Sequence, residues 1–396
     1  MSSSSSTVII GCGIAGLYSA YQLWKQKKTF IILEKNSIGG RANNRSFYGS
    51  QVPIGAGVGR KHKDKLLIQL LHELEIPYKE KPGKPTFHQN HMSNNTWKTL
   101  QQKYSRKYGK NTFREFASEI LGTEAYTEFV QSTGFYDYEN ASAYDTLHYY
   151  GMDDNIDPSW TALLIPWDLV VNRLCDIIGR ANIRTNTEVL SIRSRSKTDE
   201  LLITSPRGVI YECNRVICAV TVSTIRKLFP THSIYRDIVG QPFLRIYGKF
   251  TVASIPVLKQ YIPSTTIVKG PLQKLIPINA EKGIYMIVYN DNRHSVRLSK
   301  YKENTPENRE TLCRALKKAL SIPSSESTIH LIAIQSHYWK EGTHYYKPLD
   351  SKHKSRQEFI EEAQHPHDGI LVVGEMVSLH QGWVEGALES VMAVCQ

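Results

Sequence analysis

The sequence predicts an α/β fold in which a parallel sheet is assembled from three separate stretches of the chain. Short apolar runs, typical of buried parallel strands, occur near the start, in the middle and near the end of the 396 residues. The first run, Thr7–Ile10, precedes a helical pattern from Ile14 to Lys25, and "TFIILE", "RVICAV" and "GILVVGE" repeat the strand signal. We therefore expect one domain that the chain leaves and enters again twice, with the intervening residues forming an α+β domain.

The first connection of this domain has the glycine spacing of a dinucleotide-binding turn. Gly11, Gly13 and Gly16 follow the first strand in the pattern G-x-G-x-x-G. In such a turn the first glycine permits a tight bend, the second lets the backbone approach a pyrophosphate, and the third lets the helix lie close to the sheet. Glu34 ends the second strand, where a carboxylate can accept both ribose hydroxyls. The pattern therefore predicts a Rossmann-type nucleotide-binding domain.

A second glycine pair follows in "EKNSIGGRANN", which contains Gly39, Gly40 and Arg41. Glycine spacing alone does not distinguish a nicotinamide from a flavin nucleotide, but this segment favours flavin. The opening of the chain resembles the flavin-containing amine oxidase family, which includes monoamine, polyamine and L-amino-acid oxidases. The resemblance implies a bound FAD, with the glycine pair near its flavin end and Arg41 at its diphosphate.

Further segments carry the same resemblance. "VPIGAGVGR" is similar to the segment that passes the isoalloxazine ring, and "TEVLSI" to the middle return, where Val189 would meet the adenine end through its backbone. "VVGEMVSLHQGWVEGALESV" is similar to the closing segment, in which Glu375 would meet the ribityl chain or diphosphate and the Val384 N–H the flavin pyrimidine. Residues from about 80 to 160 show no such similarity. The predicted cofactor-binding residues are Gly11, Gly13, Ile14, Ala15, Gly16, Glu34, Lys35, Gly39, Gly40, Arg41, Gly55, Ala56, Gly57, Val58, Val189, Gly374, Glu375, Trp383, Val384 and Ala387.

One chemical position departs from the family pattern. Many relatives carry a lysine, bonded through water to the flavin N5, on a strand that enters the substrate domain. The matching segment here is "PFLRIYGKF", and the lysine position falls on Arg245. Arg245 would stabilise a reduced flavin, hold a substrate carboxylate, or pair with a surface acid. Lys249, two pleats further along the strand, is expected on the same face.

The resemblance also implies two facing aromatic walls in front of the flavin, between which an amine would lie. Trp383 occupies the place of one wall. The segment "YWKEGTHYYKP" is similar to the one that supplies the other, at His344 or, with a shift in alignment, Tyr345 or Tyr346. We expect Trp339, in the same segment, to pack within its strand. The predicted catalytic residues are thus Arg245, Trp383, His344 and Tyr346.

The predicted FAD-binding domain comprises residues 1–75, 165–240 and 365–396, and the predicted substrate domain residues 76–164 and 241–364. The chain is short for the family, so we expect a trimmed substrate domain. Some relatives attach the flavin through a cysteine near the closing segment. No cysteine lies between Cys313 and Cys395, so we expect FAD to be bound non-covalently.

The composition limits the cellular location and the binding partners that we expect. The chain has a net charge of +12, scattered cysteines without C-x-x-C spacing, and no apolar run of transmembrane length or signal-peptide pattern. We expect a soluble protein of the cytoplasm without a bound metal. The basic stretch 98–114 leaves nucleic acid or an anionic surface open as partners, but no nucleic-acid motif accompanies it.

The leading hypothesis is an FAD-dependent oxidase of a small amine. Hydride would pass from the carbon beside the neutral amine to flavin N5, the imine would hydrolyse, and O2 would reoxidise the flavin to give H2O2. A second hypothesis keeps the fold with another flavin reaction, such as that of a desaturase or a protoporphyrinogen oxidase. A third is a flavoprotein that serves a structural or interaction role and has lost its activity.

Overall fold

The computed structural model describes residues 7–82, 86–87, 94–133, 136, 138–151, 159–194, 200–323 and 325–395. Its α-helices are α1 (Ile14–Lys25), α2 (Lys65–Glu73), α3 (Asn94–Lys103), α4 (Phe113–Leu121), α5 (Thr123–Thr133), α6 (Ala143–His148), α7 (Trp167–Ile178), α8 (Val222–Leu228), α9 (Ile255–Tyr261), α10 (Asn292–Leu298), α11 (Pro306–Ala319), α12 (Arg356–Gln364) and α13 (Val384–Met392). Within these ranges, no helix is both long enough and apolar enough to cross a bilayer.

The strands of the same residues form several sheets. They are β1 (Thr7–Ile10), β2 (Phe30–Leu33), β3 (Asn44–Phe47), β4 (Ser50–Pro53), β5 (Gly59–Arg60), β6 (Lys79–Pro82), β7 (Thr86–Phe87), β8 (Thr161–Leu164), β9 (Ile183–Arg184), β10 (Ser191–Ser194), β11 (Leu201–Thr204), β12 (Ile210–Cys213), β13 (Arg215–Cys218), β14 (Ile238–Phe250), β15 (Thr266–Ile267), β16 (Lys274–Asn279), β17 (Ile284–Asp291), β18 (Leu331–Tyr346) and β19 (Ile370–Val372).

A parallel sheet with the strand order β19-β13-β1-β2-β9 joins the beginning, the middle and the end of the chain. Every neighbouring pair in it is parallel, with Thr7 opposite both Arg215 and Phe30. Its central strand is buried on both faces, which explains why β1 is an uninterrupted apolar run. The predicted α/β fold is confirmed. The boundaries of the two domains stay a prediction.

Helices cover both faces of this sheet. On one face, α1, α2, α7 and α13 bury a common core that includes Leu17, Trp167 and Leu388. On the other face, α8 and α12 pack against the sheet with the small antiparallel sheet β10-β11-β12. The apolar residues of the closing helix therefore contact the first helix of the chain, which fixes the C-terminal segment beside the glycine turn.

A larger sheet with the order β18-β14-β17-β16-β15-β7 forms the second layer. Its long strands β14 and β18 are antiparallel neighbours. One face packs against α9 and α11 through residues such as Leu244, Leu258 and Leu316. Because side chains alternate along a strand, Phe243 and Arg245 point to the opposite face, which borders a deep cavity.

A buried ion pair connects the helical region before β8 to the end of β18. Arg356 at the start of α12 binds Asp145 of α6 through two nitrogens, at 3.0 and 2.7 Å, and donates to the carbonyl of Lys347 at 2.7 Å. Both charged side chains are almost fully buried. Removing one partner of such a pair leaves an uncompensated charge in the interior.

We expect Arg356→Met to lower the free energy of unfolding by about 3–5 kcal/mol, because Asp145 would be left buried without its cation. The matched control is Lys352→Met, which removes an exposed pair with Glu362 and is expected to cost at most about 1 kcal/mol. Urea unfolding followed by circular dichroism measures both variants. Equal midpoints for the two variants would contradict the structural role of the buried pair.

Candidate functional site

A cavity of about 1330 Å³ extends from the carboxyl ends of the parallel strands to the cavity-facing side of the larger sheet. This position is the usual ligand site of open parallel sheets. The volume exceeds the roughly 300–1,000 Å³ of pockets for drug-sized ligands. The cavity is therefore large enough for a dinucleotide and a second small molecule.

Most of the predicted site residues line this cavity. They are Gly11, Gly13, Ile14, Ala15, Glu34, Lys35, Gly40, Arg41, Gly55, Ala56, Gly57, Val58, Val189, Arg245, Gly374, Glu375, Trp383, Val384 and Ala387. Gly16, Gly39, His344 and Tyr346 are not part of its wall.

The glycine turn is shaped as a cradle for phosphate. Gly11 has a φ of +99°, and a Cβ there would lie 2.4 Å from the carbonyl oxygen of Ala219. A Cβ on Gly16 would lie 2.0 Å from the carbonyl oxygen of Gly11, so only glycine lets α1 approach the turn. Gly13, in contrast, has open space where a side chain would stand. The start of α1 therefore presents its N–H groups to the cavity without obstruction, which suits a pyrophosphate.

Glu34 is oriented at the end of β2 by two backbone donors. Its Oε2 accepts the N–H of Cys12 and its Oε1 the N–H of Asn36, both at 2.7 Å. The carboxylate borders the cavity next to the glycine turn. An acceptor held in this place suits a ribose diol, as the sequence predicts.

Arg41 links the second glycine segment to the closing segment. One guanidinium nitrogen donates to Glu375 Oε1 at 2.8 Å and to the carbonyl oxygen of Gly342 at 2.9 Å. Gly39 connects the same segment to the glycine turn by donating to the carbonyl of Cys12 at 2.9 Å. These contacts place Arg41 at the cavity wall beside the turn, where a diphosphate would meet it.

Glu375 is a buried carboxylate with donors on both oxygens. Oε1 receives Arg41 and lies 2.5 Å from His344 Nδ1, and Oε2 accepts the N–H of Gly382 at 3.0 Å. Burial opposes the charge, but His344 and Arg41 together lower the pKa of Glu375 well below its ordinary value. The side chain is therefore a fixed anion at the junction of three segments.

His344 lies behind Glu375 rather than on the cavity wall, which corrects its predicted role as an aromatic wall. Its Nε2 accepts the N–H of Val222 at 3.4 Å, so Nδ1 carries the proton that is donated to Glu375. The imidazole is completely buried. It thus connects the start of α8 to the carboxylate.

Tyr346 is also turned away from the cavity, which corrects the second predicted catalytic aromatic. Its hydroxyl donates to the carbonyl of Ser378 at 3.0 Å, and its ring packs edge-on against Phe359. Tyr345, the remaining alternative, is buried in an aromatic cluster of the helical region. The cause is strand alternation, because His344 and Tyr346 share the face of β18 opposite to Thr343.

Trp339 belongs to the cavity wall together with Trp160 and Trp383, although the sequence predicts that it packs within its strand. It lies on the same face of β18 as Thr343, and both residues border the cavity. Its indole N–H donates to the carbonyl of Ile54 at 2.8 Å, which fixes the ring. The pairing of β18 with β14 is irregular between Thr343 and Trp339, so alternation along the sequence alone does not identify it.

Trp383 lines the cavity, and contacts on the side away from the cavity fix its ring. Its indole N–H donates to the carbonyl of Tyr150 at 3.3 Å, and the guanidinium carbon of Arg60 lies 3.9 Å from the centre of its ring. The next residue, Val384, begins α13 at the cavity wall. The helix therefore presents its N-terminal end to the cavity, a favourable place for a negative charge.

Arg245 faces the cavity from β14, and its guanidinium is sandwiched between aromatic rings. Its central carbon lies 3.5 Å from the centre of the Tyr289 ring and 4.3 Å from that of Phe243. One of its guanidinium nitrogens lies 3.7 Å from a carboxylate oxygen of Asp291. Lys249 shares the face of β14 but extends beyond the cavity, where its ammonium donates to the carbonyl of Lys282.

The sequence interpretation missed two charged residues at this wall, Lys274 of β16 and Asp291 at the end of β17. Burial raises the pKa of Asp291, and the nearby Arg245 and Lys274 oppose this only in part. Neither residue belongs to a motif. Only the antiparallel register of β14, β16 and β17 brings them to the wall beside Arg245.

The fold and the cavity define a dinucleotide-binding α/β protein with a second, polar chamber. Residues 9–74 match the model of the NAD(P)-binding Rossmann-like domain, and residues 97–236 match that of the flavin containing amine oxidoreductases. The second match includes residues 97–160, so the expectation that residues from about 80 to 160 show no similarity to the family is wrong. These matches show that the chain is similar to the flavin containing amine oxidoreductases over residues 97–236 and to the Rossmann-like nucleotide-binding domain over residues 9–74.

Solved structures of amine oxidases have the same fold. The chain is similar to cyclohexylamine oxidase from Brevibacterium oxydans IH-35A, with a TM-score of 0.77, 15% identity and coverage of 99% of this chain and 98% of the other. It is also similar to wild-type putrescine oxidase bound to putrescine, with a TM-score of 0.73, 12% identity and coverage of 99% and 98%. No curated protein sequence matches the chain.

We expect Glu34→Ala to weaken FAD retention, because a ribose diol would lose up to two hydrogen bonds to a charged acceptor, each worth about 1.5–3 kcal/mol. Dialysis of the loaded protein followed by flavin absorbance measures the retention. Lys25→Ala, which removes an exposed ion pair with Glu73, is the control. Retention by Glu34→Ala equal to that of wild type would show that Glu34 is not the ribose ligand.

We expect His344→Phe to shift acid-induced flavin release to a higher pH. In the wild type the lowered pKa of Glu375 keeps its carboxylate charged and stabilising at neutral pH, and this contribution is lost as the pH falls through the folded-state pKa. Without the Nδ1–H donor that pKa rises, so release should begin about one pH unit higher.

Flavin fluorescence during acid titration measures the release, and His344→Gln, which keeps an N–H donor, should restore most of the wild-type profile. In a Glu375→Gln background the His344→Phe substitution should leave the midpoint of release unchanged. A shift of the same size in that background would mean that His344 acts only through general packing.

Proposed function

We propose that the chain is an FAD-dependent amine oxidase with non-covalently bound FAD. The observation that carries the proposal is the contact between Arg41 and Glu375 on the wall of a cavity that begins at the glycine turn. This contact joins the two motifs on which the family resemblance rests. The solved neighbours that share the fold include oxidases of putrescine and of cyclohexylamine.

The chain's own residues fit such a cofactor from end to end. Glu34 would hold the ribose, and the open side of Gly13 with the start of α1 would receive the pyrophosphate. Arg41 would neutralise the phosphates, and the start of α13 at Val384 would face the flavin ring. No cysteine is among the described residues that line the cavity, which supports non-covalent binding.

A flavin held by these residues would supply the redox chemistry of amine oxidation, in which the carbon beside a neutral amine loses a hydride and O2 is finally reduced to H2O2. The protein orients the amine and excludes water. Trp339 and Trp383, each fixed by an indole hydrogen bond, form apolar walls for the substrate. The imine product is hydrolysed after it meets water.

We propose that the two domains have the boundaries that the sequence predicts. Residues 1–75, 165–240 and 365–396 would form the FAD-binding domain, and the strands of the parallel sheet all fall within these ranges. The substrate is a small-molecule amine. The cytoplasmic location and the role of the basic stretch 98–114 stay predictions.

A second candidate is a flavoprotein of the same fold without amine oxidase activity, or with another flavin reaction. The specific observation in its favour is Arg245, which stands where many relatives have lysine and is packed between two rings. A guanidinium held in this way keeps its charge and its fixed fork geometry. The reduction experiment below separates the two candidates.

We expect the purified protein to be yellow and to release FAD into the supernatant on acid precipitation, because no cysteine is placed to hold it. Anaerobic addition of a panel of primary and secondary amines should bleach the flavin absorbance, and readmission of air should restore it with H2O2 formation. Chromatography of the supernatant identifies the flavin, and a peroxidase-coupled assay detects the peroxide.

Flavin that remains in the acid pellet would contradict non-covalent binding. A yellow protein that no amine bleaches, but that dithionite reduces, would favour the second candidate. A colourless protein that cannot be reconstituted with FAD would overturn the proposed function.

A further inference from the structure

The wall of the cavity opposite the glycine turn carries an unusual charge pattern. We define the cationic wall as the cavity-lining residues of β6, β8, β14, β16 and β17. Among the described residues its cations are Lys79, Lys81, Arg245 and Lys274, and its one carboxylate is Asp291. A chamber for a dication such as a diamine would carry the opposite balance, because buried charges are matched by opposite charges on the ligand.

We infer that Arg245 and Lys274 form an anion subsite around Tyr289, and that the amine taken by this chain bears a carboxylate. The inference deepens the proposed function. That the carboxylate-bearing amine is a substrate rests on that proposed function. The subsite itself is a property of the wall and does not depend on the redox reaction.

The guanidinium of Arg245 is fixed in place before any ligand binds. It lies between the rings of Tyr289 and Phe243, and one of its nitrogens donates to the carbonyl of Asn290 at 3.0 Å. The side chain is only 5% exposed. Because a guanidinium has five N–H donors in a rigid fork, it can keep these contacts and still bind a carboxylate. Its fixed position lowers the entropy lost on binding.

Lys274 brings a second cation to the same ring. Its ammonium nitrogen lies 5.0 Å from the centre of the Tyr289 ring, and the residue is 8% exposed. Two cations beside one ring in a nearly dry wall repel each other unless an anion lies between or beside them. An ammonium has three donors and can keep its present contacts while it meets such an anion.

Asp291 compensates the pair only in part. Its carboxylate lies 3.7 Å from one Arg245 nitrogen and sets a single negative charge against the two positive charges of Arg245 and Lys274. The other carboxylate of the larger sheet at the cavity, Glu341, accepts a hydrogen bond from Thr221 at 2.5 Å and from the N–H of Ser223 at 3.0 Å. Glu341 is thereby engaged by the start of α8 rather than by the cationic wall.

The exposed end of the cationic wall is also positively charged. Lys79 and Lys81 lie on β6 and point into the cavity from alternate positions of one strand. Lys79 is exposed, so it can attract an anion from solution before the anion reaches the buried pair. The charge pattern therefore continues from the opening towards Arg245.

The test compares three ligands that share one chain length and differ in charge, namely hexanoate, hexanamide and hexylamine. Isothermal titration calorimetry of the flavin-loaded protein measures their dissociation constants. We expect hexanoate to bind, with an affinity that falls as the salt concentration rises, and to bind at least tenfold more tightly than either of the others.

The variants are Arg245→Gln and Lys274→Gln, with Lys249→Gln as the matched control, because Lys249 lies on the same strand face but outside the cavity. We expect each of the first two to weaken hexanoate at least tenfold and the control to change its affinity less than twofold. Circular dichroism melting identifies any variant that fails to fold. If the variants fail to fold, the affinities of the wild type for the three ligands test the inference by themselves.

Tighter binding of hexylamine than of hexanoate by the wild type would overturn the inference. So would unchanged hexanoate affinity in the folded Arg245→Gln and Lys274→Gln proteins, or an equal loss in the control. If the chain binds no flavin, the same titrations are followed by tryptophan fluorescence, because Trp339 borders the cavity. Carboxylate binding without flavin would then retain the subsite and reject the proposed function, whereas flavin binding without carboxylate selectivity would do the reverse.

Discussion

The arrangement of the cavity depends on the charged carboxylate of Glu375. It receives Arg41 from the second glycine segment, the imidazole of His344 from β18 and a backbone N–H from the turn before α13. Segments more than three hundred residues apart in the chain are thus held by one pair of oxygen atoms. Burial alone would favour the neutral acid, so the donors Arg41 and His344 decide that the carboxyl group is charged.

The two sheets contribute different kinds of groups to the cavity. The parallel sheet supplies backbone groups, namely the glycine turn and the starts of α1 and α13, which suit a ligand rich in phosphate. The larger sheet supplies side chains, because residues on one face of β14, β17 and β18 point to the same chamber. Variation in those side chains changes the chemistry of the chamber without disturbing the nucleotide cradle.

Local motifs made the nucleotide end predictable, whereas the opposite wall depends on register. The roles of Gly11 and Gly16 follow from sequence neighbours, and the structure shows the close approaches that their spacing predicts. The sequence predicts His344 in the cavity and Trp339 packed within its strand, whereas His344 lies behind Glu375 and Trp339 borders the cavity, because the face on which a β18 side chain lies depends on strand register. Lys274 and Asp291 carry no motif, so only the pairing of β16 and β17 with β14 could bring them together.

The order of strands in the parallel sheet also shapes how this chain is made. β1 emerges first but lies in the middle of the sheet, and its neighbour β13 follows only about two hundred residues later. At a synthesis rate of roughly 5–20 residues per second, the apolar edge of β1 remains unpaired for about 10–40 seconds before β13 is synthesised. The other edge of β13 then remains unpaired until β19 is synthesised, about 150 residues later. Such unpaired edges are sites of aggregation, so ribosome-associated chaperones would have their greatest effect on the first half of this chain.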